Sequence, residues 1–260
     1  MEVIVRPDAA AACSFAAALL AARIRARPDI VLGLATGRTM ERLYDELVAL
    51  TPDLSRARTF NLDEYLGLAG DDPRSYRRFM DRALFRRVAI PAASTHLPDG
   101  TAADPDAEAR RYEGAIRAAG GVDLQLLGLG ETGHIGFNEP LSALMSRTRV
   151  KPLTPATRRQ NAPMFGGNPD SVPPRAITMG VGTILDAREI VLLVTGAAKA
   201  GILARAIEGP ITAMVTASAL QLHPNCKVIL DEPAAADLTQ RDYYDWAFNN
   251  EPEWAPFRAD

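Results

Sequence analysis

Cysteine is scarce in this chain. Its 260 residues hold two, Cys13 and Cys226, far apart and matching neither a disulfide framework nor a metal-knuckle spacing. Buried thiols in a reducing compartment are the simpler expectation. Histidine is almost as rare: His96, His134 and His223 are scattered, and neither H-E-x-x-H nor paired Cys/His spacing occurs, so no metal and no other cofactor is expected. A serine nucleophile elbow of the G-x-S-x-G type is missing too. Nor is there an excess of positive charge. The 29 Lys and Arg against 32 Asp and Glu leave a net −3, which provides no footprint for nucleic acid but leaves a small neutral or anionic ligand open. The run Ala9 to Ala22, apolar apart from Ser14, is too short to span a bilayer, and Glu2 and Asp8 outweigh Arg6 ahead of it, unlike a signal peptide. We therefore expect a cytoplasmic protein with no membrane partner. No internal repeat, Gly/Ser linker or long run of one charge divides the chain, so a single domain over residues 1–260 is the simplest organisation.

What is present is a large apolar share, 47%, enough to fill a substantial core. Strand-length apolar runs recur with helical stretches between them: Val3 to Val5, Ile30 to Ala35, Arg58 to Leu62, Leu124 to Leu129, Ile190 to Thr195 and Val228 to Leu230. This alternation predicts an α/β fold with a mainly parallel sheet and helices on both faces. The clearest helix follows Thr39, where Met40, Leu43, Tyr44, Leu47 and Val48 recur on one face. Pro98 to Pro105 reads as a connection ending at a helix start, and the irregular stretch around Gly166 to Pro174 reads as either a mobile flap or a surface excursion.

Ligands of open parallel sheets settle beyond the carboxyl ends of the strands, so the polar residues after each apolar run are the first candidates. In Gly33 to Thr39, a glycine turn opens a helix, and free N–H groups beside Thr36, Gly37, Arg38 and Thr39 suit a phosphate or carboxylate; the alternative is a plain turn with Thr39 as cap. Lys199, after Thr195-Gly196, falls where a cation is unfavourable beside a helix start unless an anion joins both, or else it is a solvated surface lysine. In Asn61-Leu62-Asp63-Glu64-Tyr65 adjacent acids point to opposite sides, so one of Asp63 and Glu64 meets a ligand and can move a proton on and off carbon, unless it merely caps a turn. Gly128 to Pro140 holds four glycines in nine residues, with His134 suited to proton shuttling and Glu139 able to orient the ring and favour its charged form.

In this order, the segments resemble the glucosamine-6-phosphate deaminase (isomerase) family over nearly the whole chain. The resemblance rests on Leu34-Ala35-Thr36-Gly37, Asn61 to Leu68, Gly133 to Pro140, Ser146 to Arg149, Gly180 to Leu185 and Leu220 to Pro224. It implies a Rossmann-like fold and a metal-free aldose–ketose isomerisation coupled to deamination of an amino sugar phosphate, giving fructose 6-phosphate and ammonia from glucosamine 6-phosphate. By that resemblance His134, supported by Glu139, opens the pyranose ring, and Asp63 carries a proton from C2 to C1 through an enolamine. The Thr36-Gly37 turn and Lys199 belong to the phosphate site, and a lid spans about 149–178. Homo-oligomers occur among relatives, some activated by N-acetylglucosamine 6-phosphate; Ser142, Arg149 and Lys151 match part of that effector site, and Pro152 departs from it.

Two further departures bear on chemistry. Thr132 stands where the family usually has Asp or Asn, so it offers the histidine a hydroxyl rather than a carboxylate. Pro163 stands where the family's lid arginine falls, and a lost charge-assisted contact weakens phosphate binding by about 1.5–3 kcal/mol. Arg38, in place of a small residue, is expected to restore that charge. A 6-phosphogluconolactonase-like hydrolase and a non-catalytic sugar-phosphate sensor are the competing readings; the first lacks the Phe137-Asn138-Glu139-Pro140 and Asn61 to Tyr65 blocks.

Overall fold

Apolar runs too short for helices become strands, and the amphipathic stretches between them become helices. A computed structural model describes residues 1–258. β1 (Glu2–Arg6) leads into α1 (Ala9–Ala26), where the Asp8 carboxylate accepts from the Ala11 N–H at 2.9 Å and caps the helix. β2 (Val31–Leu34) and α2 (Arg38–Ala49) follow, with Met40, Leu43, Tyr44 and Leu47 buried on the predicted face. Next come β3 (Arg58–Asn61), β4 (Asp63–Tyr65), α3 (Tyr76–Met80) with a π-helical turn over Asp81–Phe85, and β5 (Thr95–His96). The predicted connection ends where Asp104 caps α4 (Pro105–Ala118). The second half contributes β6 (Leu124–Gly128), β7 (Arg149–Pro152), α5 (Pro155–Asn161), β8 (Arg175–Thr178), α6 (Val181–Leu185) and β9 (Glu189–Val194). It closes with α7 (Ala200–Ile207), β10 (Cys226–Asp231) and α8 (Arg241–Asn250).

Seven strands form one parallel sheet in the order β1-β10-β9-β6-β2-β3-β5, with helices around it, which is the Rossmann-like α/β arrangement expected from the sequence. β9 and β10 are buried along their whole length, as strands covered on both faces must be. A second sheet, β4-β8-β7, is antiparallel and was not apparent in the sequence. Its strands have three or four residues and mix Asp63, Arg149 and Lys151 with apolar neighbours, so no alternation marks them. It pairs Asp63 with Thr178 and Thr178 with Arg149, joining the end of β3 to both ends of the stretch expected as a lid.

α1 departs from expectation in length. It continues past the apolar run to Ala26, 18 residues in all, so length and apolarity alone no longer separate it from a membrane span. Its packing does: nine of its residues are buried, and it lies against β1, β9, β10 and α2. At that edge of the sheet, Lys227 of β10 is 3% exposed and its ammonium is held by Glu2 of β1 and, at 2.7 Å, by Glu253 near the chain end, with the Trp254 ring 5.0 Å away.

Gly180, between β8 and α6, packs directly on the backbone of Ser146: an added Cβ would lie 2.0 Å from the Ser146 carbonyl oxygen. Gly180→Ala must push these backbones apart, and we expect a loss of about 2 kcal/mol or more, read as a lower urea midpoint at unchanged slope. A midpoint equal to that of the unsubstituted protein contradicts this packing.

Candidate active site

The carboxyl ends of β2, β3, β6 and β9 face one cavity of about 580 Å³. The loops leaving them supply its walls: Ala35 to Thr39 after β2, Leu62-Asp63 after β3, Leu129 to Glu131 and His134 after β6, and Thr195, Ala198 and Lys199 after β9. Of the residues expected from the sequence, Thr36, Gly37, Arg38, Thr39, Asp63, His134 and Lys199 line this cavity together. Thr132 and Glu139 do not line it and instead contact His134.

Asp63 sits where β3 passes into the second sheet and is 6% exposed. Burial is the main cause that pushes its pKa up to about 8; the neighbouring Glu64 charge adds to it, and the Phe137 N–H works against it. The two acids do diverge across the strand as alternation requires. Glu64 turns away from the cavity and accepts three backbone N–H groups, from Tyr65 at 2.9 Å, Tyr76 at 3.1 Å and Arg77 at 2.9 Å. It thereby binds the first two N–H groups of α3, while Asp63 is left facing the cavity.

His134 is 7% exposed. Its Nδ1 lies 2.8 Å from the Thr132 hydroxyl and 3.7 Å from Glu139 Oε2. Glu139 Oε1 accepts from the Thr154 N–H at 3.0 Å and the Thr154 hydroxyl at 3.3 Å, whereas the buried Oε2 has no hydrogen-bond partner. Glu139 does favour the charged imidazole, but its pull is not the largest influence on the ring. Burial, aided by Lys199, lowers the His134 pKa, and the opposing pull of Glu139 and Glu131 does not overcome it. Burial thus favours the neutral ring, with Thr132 as its closest partner and Glu139 ready to receive it once protonated.

At the other end of the cavity, α2 starts after Gly37, whose φ of +113° turns the chain sharply, and no side chain caps the helix. Thr39 is therefore not the cap; its hydroxyl lies 3.3 Å from that of Thr195 across the cavity floor. Burial lowers the Lys199 pKa, opposed by Glu131 and assisted by Arg38. Arg38 is exposed at the mouth and makes no ion pair among the described residues. The stretch 149–178 lends Gln160, Asn161 and Met164 to the wall but no cation, and its Leu153, Ala162, Phe165, Val172 and Ala176 bury against Tyr65, Tyr76 and Phe137. Arg158 faces Asp170 instead, and Pro163 is absent from the lining. Ser142, Arg149 and Lys151 also lie outside the cavity; Arg149 donates to Asn138 Oδ1 at 2.8 Å.

Sequence reasoning missed Tyr76, Thr195 and Arg42. Tyr76 is buried at the cavity wall, stacks on Phe137, donates to the Tyr65 hydroxyl at 3.1 Å and bonds the Thr36 side chain. It follows no strand, so the strand-end rule does not reach it. Thr195 and Arg42 were within reach: one ends a recognised strand, the other lies one helical turn beyond Arg38. Among the described residues no cluster of three or more His, Cys, Asp or Glu is arranged to hold a metal.

Gly130 lies beneath the imidazole, where an added Cβ would fall 2.1 Å from His134 Nε2. Gly130→Ala must displace the ring, and we expect turnover to fall by about 100-fold or more with the thermal midpoint nearly unchanged. Full activity in that variant would remove His134 from the chemistry.

The family model for glucosamine-6-phosphate isomerases/6-phosphogluconolactonase matches residues 8–228. A glucosamine-6-phosphate deaminase of Shewanella loihica is 48% identical over 94% of this chain and 92% of the relative. One of Streptomyces coelicolor is 46% identical over 98% and 99%. A solved structure described as a monomeric glucosamine-6-phosphate deaminase superposes with a TM-score of 0.89 at 41% identity, covering 91% of this chain and 100% of that one. The 6-phosphogluconolactonase from Trypanosoma cruzi, 23% identical with a TM-score of 0.75 over 92% and 97% of the two chains, shares the fold. With a family model spanning most of its length and full-length relatives near half identity, the chain belongs to the glucosamine-6-phosphate isomerase/6-phosphogluconolactonase family.

Proposed function

We propose that this cavity converts glucosamine 6-phosphate and water to fructose 6-phosphate and ammonia. The observation that carries the reading is the presence of Asp63, His134 and an anion-suited end in one cavity. A phosphate at the Gly37 turn meets free N–H groups of α2, the Thr36 and Thr39 hydroxyls, and the cations Lys199 and Arg38. The sugar then extends toward Asp63 and His134. A neutral imidazole accepts the anomeric hydroxyl proton and returns one to the ring oxygen, which opens the pyranose; Glu139 stabilises the transient imidazolium. Asp63 takes the proton from C2 and delivers it to C1. The enolamine becomes an imine, water adds at C2, and ammonia leaves. A carbon acid is weak, so a base with raised proton affinity in a largely dry site suits the step.

The stretch 149–178 acts as the lid in this reading, supported by the cavity-facing Gln160, Asn161 and Met164 and by its own small apolar core. A cytoplasmic setting is supported by two buried, unpaired thiols. Self-association draws support from the exposed apolar side chains of Leu141, Met145 and Met214, against which stands the relative described as monomeric. No observation favours lactone hydrolysis, because the lactonases resemble this chain only at the level of fold.

Ammonia release from glucosamine 6-phosphate tests the reading, and the ketose formed in deuterated water should carry label at C1. Asp63→Asn should cut turnover by about 100-fold or more while substrate binding persists. Because Asp63 must be ionised to act, kcat/KM should rise with pH through about 8 in the free enzyme. Binding without product would mark a sensor, and lactone hydrolysis without ammonia would mark the other branch of the family.

Arg38→Ala should raise KM for the phosphorylated sugar by about tenfold or more at little cost in kcat. An unchanged KM refutes a compensating role for this arginine.

A further inference from the structure

Asp231 is buried, 2% exposed at the carboxyl end of β10, and unused by the mechanism above. Leu230 stands opposite Val194 of β9, which brings Asp231 level with Thr195 and the turn that follows it. Both carboxylate oxygens face that turn. The Gly196 N–H donates to Oδ1 at 2.9 Å and to Oδ2 at 3.0 Å, and Oδ1 also accepts from the Ala234 N–H at 2.9 Å. On its other side the Gly196 carbonyl accepts from the Lys199 N–H at 3.0 Å. Asp231 is thus joined to the backbone of Lys199 through Gly196. A turn that needed only a cap could take a hydroxyl, as Thr154 supplies to the Thr157 N–H at 3.2 Å. A carboxylate offers two acceptors in one plane, so it fixes the direction of a single N–H as well as its distance.

We propose that Asp231 is a positioning residue for phosphate binding, whose carboxylate fixes the Gly196 turn and so aims the Lys199 ammonium and the Thr195 hydroxyl into the cavity. The inference rests on the reading of this end as the phosphate site. Thr195 and Lys199 flank the turn and both line the cavity, whereas Asp231 does not reach it. The Thr195 hydroxyl lies 3.3 Å from that of Thr39, so the same turn sets the spacing between the β9 loop and the start of α2. No charge effect on the ammonium is needed: the charged groups acting on Lys199 are Glu131 and Arg38, and Asp231 works through the backbone. A lysine on a fixed turn meets an anion without a loop having to be ordered first, and that ordering otherwise weakens binding. Asp63 and His134 are carried by other loops, so a loosened Gly196 turn affects KM and leaves the chemical step nearly intact.

The test separates positioning from a general loosening of the fold. Asp231→Ala removes both acceptors. We expect the dissociation constant of inorganic phosphate, read by calorimetry, and KM for glucosamine 6-phosphate each to rise about tenfold, with kcat changed by less than about threefold. The same substitution is then made in Lys199→Ala, which by itself must weaken phosphate binding. If Asp231 acts through the turn that aims Lys199, its removal adds no more than about twofold once the ammonium is gone. A full effect in both backgrounds overturns the proposal, and so does an unchanged phosphate affinity in Asp231→Ala or in Lys199→Ala. If Asp231→Ala does not fold, Asp231→Asn carries the test, because its Oδ1 keeps the Gly196 and Ala234 bonds and only the second acceptor is lost. The phosphate constant should then rise about threefold with Lys199 present and stay level in Lys199→Ala. Equal affinity with Lys199 present overturns the proposal. An enzyme that releases no ammonia, yet loses phosphate affinity in this pattern, fails the deaminase reading and keeps the role of Asp231.

Discussion

The pairing of β4 with β8 is the constraint on which the site depends. It takes the chain as it leaves the parallel sheet at Asn61 and fixes the next residues in a second, antiparallel sheet, so that Asp63 is held by ladder bonds rather than by a loop. Held there, its carboxyl is surrounded by Tyr76, Phe137 and the Gly136 backbone and loses most of its water. Gly136 matters for the closeness: a Cβ would meet Thr178 Oγ1 at 3.0 Å and Asp63 Oδ2 at 3.5 Å, and its φ of +54° is one that side chains resist. The proton affinity of Asp63 is thus tied to strand pairing at Asp63 itself, opposite Thr178.

Such an arrangement costs stability. A carboxyl whose proton affinity is raised on folding favours the native state at low pH, and that contribution is lost as pH climbs from the ordinary carboxylate range through the raised value. Asp63 and Glu64 both belong to this class, so the ionised pair weighs on the fold at and above neutral pH. The large apolar core beneath them, with β9 and β10 fully enclosed, offsets the burden. Sites that need an unusual proton affinity commonly sit on such a rigid base.

Much of this was legible in the residues. The runs ending at Ala35, Leu62, Leu129 and Thr195 marked the strands, and the polar residues just past them became the cavity wall because a parallel sheet offers ligands that one edge. The divergence of Asp63 and Glu64 followed from strand alternation. The second sheet escaped because three- and four-residue strands carry too few positions for a period to register, and Tyr76 escaped because it arrives sideways from α3. For His134 the sequence supplies the neighbour Glu139, which pulls the ring toward its charged form as expected, but not the loss of water, which outweighs that pull here.

The ammonium of Lys227 joins the first strand to the last turn of the chain, through Glu2 on one side and Glu253 on the other. Among the described residues β1 pairs only with β10, a contact that at Glu2 and Lys227 closes a sequence separation of 225 residues. Contacts of such wide sequence separation are slow to close and add little until late in folding. This edge of the sheet is therefore sealed late in folding, and loss of the Glu253 carboxylate would leave a desolvated cation there with half its counter-charge.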